Sequence, residues 1–440
     1  MECATWVRDR LLEKSLQLKR SALARNAGWM FLGQGLSAVC QGIYFILLAR
    51  LLGVVEYGIF AGAMAMVMIV AQYCALGSHS VFVRYVSPDH TRYARYWGNV
   101  LLTTVNVGSL MTLLVICFGP MIAHSYSRPM LAWTAIANCL CAQLTYAAGR
   151  VFQTFERMRV TALLNLLTNL MRTIAAAVLL LGWHRITAGQ WAFAAMVISA
   201  IVAAIAVVSV RREYGPAEYS FRLARERAGE GFVFALSYST GGFFNDLDKA
   251  MLGHYGMNFA NGVYTMAYRV VDVCTMPLYA VQAAAFPRFF KKGEEAGLRN
   301  TRSYAARIIK RTALTGVLMA AAMFVTAPLI PKIVGLGFQE STAALRWLCL
   351  LPFFRSFHVG AGDALTGAGH QNLRLSTQAI AAVFNFAVNL YLIPHYGWHG
   401  AAWSSLATDG LLAVLNCGIL MAATNGTIRL RRRQTTLRNE

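Results

Sequence analysis

The stretch Gly98–Phe118, GNVLLTTVNVGSLMTLLVICF, contains no charged residue and decides the fold class of this chain. At 1.5 Å of rise per helical residue it is about 30 Å long, the thickness of the hydrocarbon core of a bilayer. Similar windows recur along the 440 residues, of which 57% are hydrophobic and 13% charged, whereas soluble domains carry about 25% charged residues. The pattern indicates an all-α polytopic membrane protein and excludes an ordinary soluble enzyme.

Twelve windows with few or no charges predict twelve membrane-spanning helices. Their predicted bounds are 28–48, 57–76, 98–118, 130–149, 160–182, 190–210, 231–253, 262–286, 312–333, 347–368, 375–393 and 401–422. The predicted domains are a cytoplasmic amphipathic N-terminal segment (1–25), a first six-helix bundle (26–210), a basic cytoplasmic linker (211–229), a second six-helix bundle (230–424) and a basic cytoplasmic tail (425–440).

Lysine and arginine residues are concentrated on one side of the predicted membrane. Of the 40, 31 lie in alternate connections and at the two termini, while the opposite loops hold four, Arg50, Arg128, Arg185 and Lys332. Because cytoplasmic loops of membrane proteins carry the excess of Lys and Arg, both termini are predicted to be cytoplasmic. This distribution explains the net charge of +21 without a nucleic-acid partner. The basic connection Arg288–Arg311 is expected to lie along the anionic cytoplasmic leaflet.

Two weak internal matches relate the two halves of the chain. The stretch Tyr57-Gly-Ile-Phe60 matches Asn261-Gly-Val-Tyr264 at an offset of 204 residues. The stretch Asn165-Leu-Leu-Thr-Asn169-Leu matches Asn385-Phe-Ala-Val-Asn389-Leu at an offset of 220. Because the matches occur in the same order and each half has six predicted helices, they indicate a 6+6 parallel repeat.

Two stretches carry a family resemblance. They are Leu48-Ala-Arg50-Leu-Leu-Gly53-Val-Val-Glu56-Tyr57-Gly58, and Asn245-Asp246-Leu-Asp248-Lys-Ala-Met-Leu-Gly253 followed by Asn261-Gly262-Val-Tyr264-Thr-Met-Ala-Tyr268-Arg269. Both resemble Wzx-type polysaccharide (O-antigen) precursor flippases of the multidrug/oligosaccharidyl-lipid/polysaccharide exporter (MOP) superfamily. The resemblance implies two six-helix bundles in a V that alternates between inward-open and outward-open states.

The resemblance also implies a function and a location. The substrate would be a polyprenyl-diphosphate-linked oligosaccharide, a repeat unit of O-antigen, lipopolysaccharide or exopolysaccharide, moved from the cytoplasmic to the outer leaflet of the bacterial cytoplasmic (inner) membrane. The alternatives are a multidrug cation antiporter of the same superfamily and a non-transporting membrane scaffold for glycan assembly. Expected partners are the lipid-linked oligosaccharide and membrane lipids, together with a glycan polymerase and glycosyltransferases, and no nucleic acid.

Polar side chains inside the spans are the candidates for substrate binding, because an ionised group at bilayer depth costs roughly 2.5–3.5 kcal/mol on insertion scales. The candidates are Arg172, Asn165, Asn169, Asn385, Asn389, Arg269, Gln34 and Gln41. Asn165, Asn169 and Arg172 are spaced i, i+4, i+7 and form one stripe, and Asn385 and Asn389 form a comparable one. Arginine suits a diphosphate because its guanidinium donates two hydrogen bonds and keeps its charge. Interhelical hydrogen bonding is the alternative role of the asparagines.

Charged residues of the second half are candidates for coupling or gating, namely Asp246, Asp248, Lys249 and Asp272. Asp246 and Arg269 have similar predicted depths on neighbouring helices, so we expect them to pair, as a structural salt bridge or as a switch. Arg355, Asp363 and Asp409 are weaker functional candidates, and charge pairing within the second bundle is the favoured interpretation. A proton and a sodium ion are the candidate coupling ions. Because the sequence has no metal-ligand spacing, P-loop or nucleophile elbow, we expect no metal, no other cofactor and no enzymatic activity.

The charge distribution generates a topology prediction. Reporter fusions at Arg433 and Arg222 are expected to report a cytoplasmic location, and a fusion at Arg185 an external one, because of the 31-to-4 distribution of loop Lys and Arg. Alkaline phosphatase and fluorescent-protein fusions measure this directly. An external signal at Arg222 would contradict the arrangement of twelve spans.

Overall fold

The computed structural model describes residues 2–183 and 185–425, without the side chains of residues 2–27, 30, 31, 237, 238, 240–244 and 296. The side chains of the predicted amphipathic segment 1–25, and the predicted tail beyond Asn425, therefore lie outside the described residues. Within these residues all regular secondary structure is helical, as the apolar windows predict.

Fourteen α-helices follow one another in this part of the chain. They are α1 (Glu2–Ala71), α2 (Ser78–Val86), α3 (Tyr93–Ile122), α4 (Arg128–Ala135), α5 (Ala142–Thr154), α6 (Met158–Gly182), α7 (Ala188–Tyr214), α8 (Phe221–His254), α9 (Asn258–Thr326), α10 (Leu329–Val334), α11 (Ser341–Leu348), α12 (Leu351–Gly367), α13 (Gln371–Tyr396) and α14 (Trp398–Thr424). Short 3₁₀ turns occur at His90–Arg92 and Leu336–Phe338, and a π-helical turn at Ile136–Cys141 joins α4 to α5.

Eight helical stretches among the described residues are long and apolar enough to cross a membrane. They account for nine of the twelve predicted spans, because the stretch Leu32–Ala71 contains most of the first two. At 1.5 Å per residue this stretch is about 60 Å long, twice the hydrocarbon thickness. It is interrupted at Gly53, whose φ of 70° and ψ of 173° favour glycine over any other residue. The first two predicted spans are therefore separate segments of α1.

The other three predicted spans also fall on helices. The span 130–149 covers α4, the π-helical turn and α5, and the span 231–253 lies in α8. The span 347–368 covers the end of α11 and all of α12, where Pro352 occupies the first turn of the new helix. The predicted all-α polytopic class is confirmed.

Helix α9 is the second very long helix. It includes the predicted span 262–286 and the start of the span 312–333, with the basic segment Arg288–Arg311 between them. The backbone of Gly297 divides it with a φ of 61°. The predicted basic connection is therefore helical on both sides of this glycine.

The chain divides into two compact units. Among the described residues, unit 1 consists of those within Met1–Leu51, Val70–Pro120 and Ser127–Ser237. In this unit α7 packs against α4, α5 and α6. Aromatic rings fill one end of its core, where Phe82 contacts Trp97 edge-on with ring centres 6.4 Å apart and Phe155 stacks on Tyr214 at 4.2 Å. Burial of such large rings is a main source of stability for the unit.

Unit 2 consists of the described residues within Leu52–Ile69, Met121–Tyr126 and Tyr238–Glu440. Helix α12 packs against α9 and α14 in its core. At the end of α12, Gly367 lies so close to α9 that a Cβ would come within 2.6 Å of the backbone carbon of Phe289. A side chain at this position would separate the two helices.

The two units differ in detail from the predicted domains. The chain passes from unit 1 to unit 2 after Ser237, so the predicted linker 211–229 belongs to unit 1. Two segments of the predicted first bundle, Leu52–Ile69 and Met121–Tyr126, belong to unit 2. Hydropathy locates helices but cannot assign a segment to the neighbours against which it packs.

Candidate functional site

A strip of polar side chains runs along α6 in unit 1. The Nδ2 of Asn169 donates to the Oγ of Ser37 on α1 at 2.5 Å. One turn later, the Oγ1 of Thr173 donates to the carbonyl O of Cys40 at 3.0 Å. Asn165, one turn before Asn169, is exposed. The spacing of four residues places these three side chains on one face of α6, next to α1.

The predicted glutamines belong to the same strip. Gln34 and Gln41 lie three residues before and four residues after Ser37, and therefore on the same side of α1. Gln34 is exposed and Gln41 is half-buried. Because Ser37 contacts Asn169, the structure brings the predicted amide side chains of unit 1 together along two adjacent helices.

Arg172 extends the strip by almost one further turn. Its Nη2 donates to the Oγ of Ser199 on α7 at 3.1 Å, and its Nε is buried without a hydrogen-bond partner. A guanidinium has five N–H donors, so most of this hydrogen-bonding capacity is unused. A half-buried cation with free donors suits a phosphate group, whose several oxygens accept paired hydrogen bonds.

Asp248 on α8 is the centre of a buried network in unit 2. Its Oδ1 accepts from the Nδ2 of Asn389 at 2.6 Å, and its Oδ2 accepts from the hydroxyls of Tyr264 at 2.8 Å and Ser405 at 2.6 Å. Asp248 is 1% exposed. All three donors are uncharged, so hydrogen bonds rather than an ion pair stabilise the carboxylate.

Asn385 and Asn389 on α13 lie in this network. Asn385 donates its Nδ2 to the hydroxyls of Ser404 at 3.1 Å and Thr408 at 3.0 Å on α14, and it accepts from Asn389 at 3.0 Å. The asparagines are 1% and 0% exposed, so they hold helices together instead of lining an open cavity. The Oδ1 of Asn389 is buried without a hydrogen-bond partner, which leaves an unused acceptor near Asp248.

Lys249 follows Asp248 in sequence but has other partners. Its ammonium donates to the carbonyl O of Asn245, lies 4.3 Å from the ring centre of Tyr268 and lies 3.9 Å from the Oδ1 of Asp246. Because Lys249 is 5% exposed, these contacts replace the water that its charge would otherwise need. The pairing of Asp246 with Arg269 stays a prediction, and the ion-pair partner that the structure gives for Asp246 is Lys249.

Arg355 on α12 links two carboxylates of unit 2. Its Nε donates to the Oδ2 of Asp409 at 3.2 Å, and its Nη1 lies 3.8 Å from the Oδ1 of Asp272. Its Nη2 donates to the hydroxyl of Tyr268 at 2.5 Å. Arg269 lies 3.7 Å from the other oxygen of Asp272. The interpretation of Arg355 and Asp409 as a charge pair is confirmed.

A polar cavity of about 170 Å³ lies beside Arg355 in unit 2. Arg374, on its wall, donates to the Oδ1 of Asp363 at 2.9 Å, so Asp363 has a partner that the sequence interpretation did not name. His358, also on the wall, holds its Nε2 3.6 Å from the Oδ1 of Asp409. Both arginines are balanced by carboxylates, and the space is large enough for several water molecules.

Sequence reasoning missed Tyr264 and Ser405, the hydroxyl-bearing partners of Asp248, and the hydroxyls of Ser404 and Thr408 that bind Asn385. Tyr264 and Tyr268 are spaced i, i+4 on α9, and Ser404 and Thr408 are spaced likewise on α14. This spacing is a signal for a polar helix face. It does not reveal which buried carboxylate the face meets, because that depends on the approach of helices distant in sequence.

The comparison with protein families identifies the chain. A family model described as "Polysaccharide biosynthesis protein" matches residues 23–292, which include the strip on α6 and Asp248. The chain belongs to this family. The match ends within α9, shortly before Gly297.

This member of the polysaccharide biosynthesis family is also similar in sequence to two other proteins. The probable low-salt glycan biosynthesis flippase Agl15 of Haloferax volcanii is 22% identical over 402 residues, which cover 90% of this chain and 83% of that protein. An uncharacterized membrane protein of Methanocaldococcus jannaschii is 24% identical over 192 residues, 41% of this chain and 44% of that protein.

Solved structures share the fold. An inward-facing multidrug resistance MATE family transporter of the MOP superfamily is 14% identical with a TM-score of 0.70, over 90% of this chain and 96% of that chain. A MOP superfamily transporter from Pyrococcus furiosus is 13% identical with a TM-score of 0.61, over 92% and 96%. The predicted resemblance to polysaccharide flippases is confirmed by the family match, and the chain is a multi-pass membrane protein that shares the fold of these transporters.

The different surroundings of the repeat-related asparagines generate a stability prediction. Asn385→Ala is expected to lower the free energy of unfolding by about 1–3 kcal/mol, because it removes buried hydrogen bonds to Ser404 and Thr408 on α14 and to Asn389. Asn165→Ala, at the matching exposed position, should change it by less than about 0.5 kcal/mol. Thermal unfolding of the purified proteins in detergent compares them, and equal midpoints would contradict the structural role of Asn385.

Proposed function

We propose that this protein is a flippase that moves a polyprenyl-diphosphate-linked oligosaccharide from the cytoplasmic to the outer leaflet by alternating access. The oligosaccharide is a repeat unit of O-antigen, lipopolysaccharide or exopolysaccharide, and the membrane is the bacterial cytoplasmic membrane, with both termini inside. Membership of the polysaccharide biosynthesis family supports the glycan class. No covalent bond of the substrate changes, so the protein acts as a carrier rather than as an enzyme.

The proposal rests on the unused hydrogen-bond donors of Arg172. Its guanidinium is half-buried with unused donors, on a strip that also holds four amide side chains and the hydroxyls of Ser37 and Thr173. The diphosphate binds Arg172 through charge-assisted hydrogen bonds, which are about twice as strong as neutral ones. Asn165, Asn169, Gln34 and Gln41 donate to and accept from sugar hydroxyls.

Unit 2 carries further charged candidates. Arg269, with 34% of its side chain exposed, is a second candidate to bind a phosphate group. Asp246, Lys249 and Asp272 set the balance between inward-open and outward-open states, because Lys249 is buried and depends on its ion pair with Asp246, while Asp272 pairs with Arg269.

The membrane potential supplies a driving force in this proposal. A diphosphate carries about two negative charges and moves outward along an inside-negative potential, which is worth roughly 2.3 kcal/mol per charge per 100 mV. Transport in this direction therefore needs no ATP. Glycosyltransferases supply the lipid-linked unit at the inner face, and a polymerase consumes it at the outer face.

Arg172→Ala is expected to reduce transport of the lipid-linked oligosaccharide by at least about tenfold, because a hydrogen bond to a charged group is worth about 1.5–3 kcal/mol. Arg172→Lys should rescue transport only partly, since an ammonium lacks the paired donors. Purified protein in proteoliposomes with a fluorescent lipid-diphosphate glycan measures the rate.

Arg159→Ala is the matched control, because Arg159 lies on the same helix, is exposed and stacks over Trp29 at 4.8 Å. It should transport normally. Normal transport by Arg172→Ala at normal abundance would remove Arg172 from the site. Binding of organic cations in place of the lipid-diphosphate would favour the multidrug antiporter. Absence of transport under every condition would favour the scaffold.

We also propose that Asp248 takes the coupling cation, a proton or a sodium ion, that resets the empty carrier. Its carboxylate is surrounded by neutral groups, so a monovalent cation would neutralise it. The unused Oδ1 of Asn389 and the hydroxyls of Tyr264 and Ser405 are further oxygen ligands within the same network. Hard cations prefer such oxygen ligands.

Asp248→Asn is expected to abolish the stimulation of transport by an imposed ion gradient, because the amide cannot carry the compensating negative charge. Initial rates in proteoliposomes with a sodium gradient alone and with a pH gradient alone identify the ion. Glu226→Gln on the same helix, whose exposed carboxylate pairs with Arg222, is the matched control and should keep the stimulation. Stimulation retained in full by a stable Asp248→Asn protein would reject the coupling role.

A further inference from the structure

Two glycines of unit 2 bring α1 and α9 into backbone contact, at a point called here the outer crossing (Val54, Gly58, Asn258 and Gly262). A Cβ on Gly58 would lie 1.8 Å from the carbonyl O of Asn258. A Cβ on Gly262 would lie 2.0 Å from the carbonyl O of Val54. Both distances are shorter than any real Cβ contact, so the crossing requires glycine in both helices.

The outer crossing is symmetric in sequence. Val54 precedes Gly58 by four residues, and Asn258 precedes Gly262 by four, so each glycine faces the carbonyl one turn before the other glycine. The two glycines are also the matching glycines of the internal repeat with the offset of 204 residues. The two halves of the repeat therefore meet at a feature that they share.

Four of the six predicted outer connections contribute to this region of unit 2. By the predicted spans these connections are 49–56, 119–129, 254–261 and 334–346. Val54 and Asn258 belong to the first and third. From the second, the hydroxyl of Tyr126 fits against Gly253, where a Cβ would lie 1.6 Å from it. From the fourth, Gly337 lies next to Val54.

The contact is held by packing and few polar interactions. Asn261 donates its Nδ2 to the carbonyl O of Gly58 at 3.1 Å. Tyr126 is 3% exposed, and its hydroxyl has no hydrogen-bond partner. A buried hydroxyl without a partner opposes the closed contact, because water would satisfy it after opening. This hydroxyl therefore lowers the cost of separating the crossing.

We propose that the outer crossing closes the outer end of the transport path and must part before the glycan reaches the outer leaflet. This proposal rests on the proposed function. The glycines make the closure tight, because backbone meets backbone without intervening side chains. The unsatisfied hydroxyl of Tyr126 makes the closure reversible.

A disulfide across the closure tests the proposal. In the double variant Val54→Cys with Gly337→Cys, the two Cβ atoms would lie 3.9 Å apart, which suits a disulfide, for which about 3.5–4.5 Å is usual. The oxidised full-length protein in proteoliposomes is expected to lose transport by at least about tenfold, because the open state is no longer populated. Reduction should restore transport, and each single variant is the control.

A readout without substrate separates this proposal from the proposed function. Thr265 is 1% exposed and lies one turn beyond Asn261 on α9. A membrane-impermeant maleimide added outside should react with the thiol of Thr265→Cys, and the disulfide should slow this reaction at least about tenfold. Slowed reaction without glycan transport in any variant would support the closure and reject the flippase. If fully cross-linked protein reacts with external maleimide and transports glycan at unchanged rates, the proposed closure is wrong.

Gly262→Ala gives the opposite perturbation, because the added Cβ prevents contact with Val54. Combined with Thr265→Cys, it is expected to speed the reaction with external maleimide and to reduce transport. Gly418→Ala on α14 is the matched control, since nothing lies within 4 Å of a Cβ at that position. Unchanged labelling and transport by a Gly262→Ala protein of normal abundance would also overturn the proposal.

Discussion

A carboxylate in the hydrocarbon region has no water to solvate it, so protein groups must supply its hydrogen bonds. The second unit is organised around supplying them to Asp248. The groups that bind its carboxylate come from α9, α13 and α14, while Asp248 itself lies on α8. Removing any one of these donors would leave part of a buried charge unsatisfied. The network therefore fixes four helices against one another and, at the same time, holds a negative charge that a cation can neutralise.

The two halves of the repeat use their matching asparagines differently. On α13, Asn385 and Asn389 are enclosed and bonded to α14 and Asp248. On α6, Asn165 is exposed and the stripe ends in Arg172, whereas the matching position on α13 is Leu392. In the proposed function the α6 stripe recognises the substrate and the α13 asparagines serve ion coupling, because only the α6 stripe leaves donors accessible.

Asn261 connects the outer crossing to the charged cluster. Its Nδ2 lies within hydrogen-bond distance of two carbonyl oxygens, those of Gly58 at 3.1 Å and Lys249 at 3.0 Å. Lys249 in turn contacts Asp246 and the ring of Tyr268. A change in the ion pairs of α8 therefore has a direct structural route, through one buried amide, to the position where α1 and α9 meet. Such a contiguous contact is the kind of element through which two sites can be coupled.

The sequence by itself determined the all-α membrane class, the position of most helices and the stripe that joins Asn165, Asn169 and Arg172. These features depend on local composition and helical spacing, because hydrocarbon excludes charge whatever the tertiary contacts are. Only the tertiary structure decided that Asn385 and Asn389 are enclosed and that Leu52–Ile69 packs with the second half of the chain. Burial and helix crossing depend on how closely backbones distant in sequence approach, and that approach is set by small residues such as Gly58 and Gly262, whose partners no local pattern reveals.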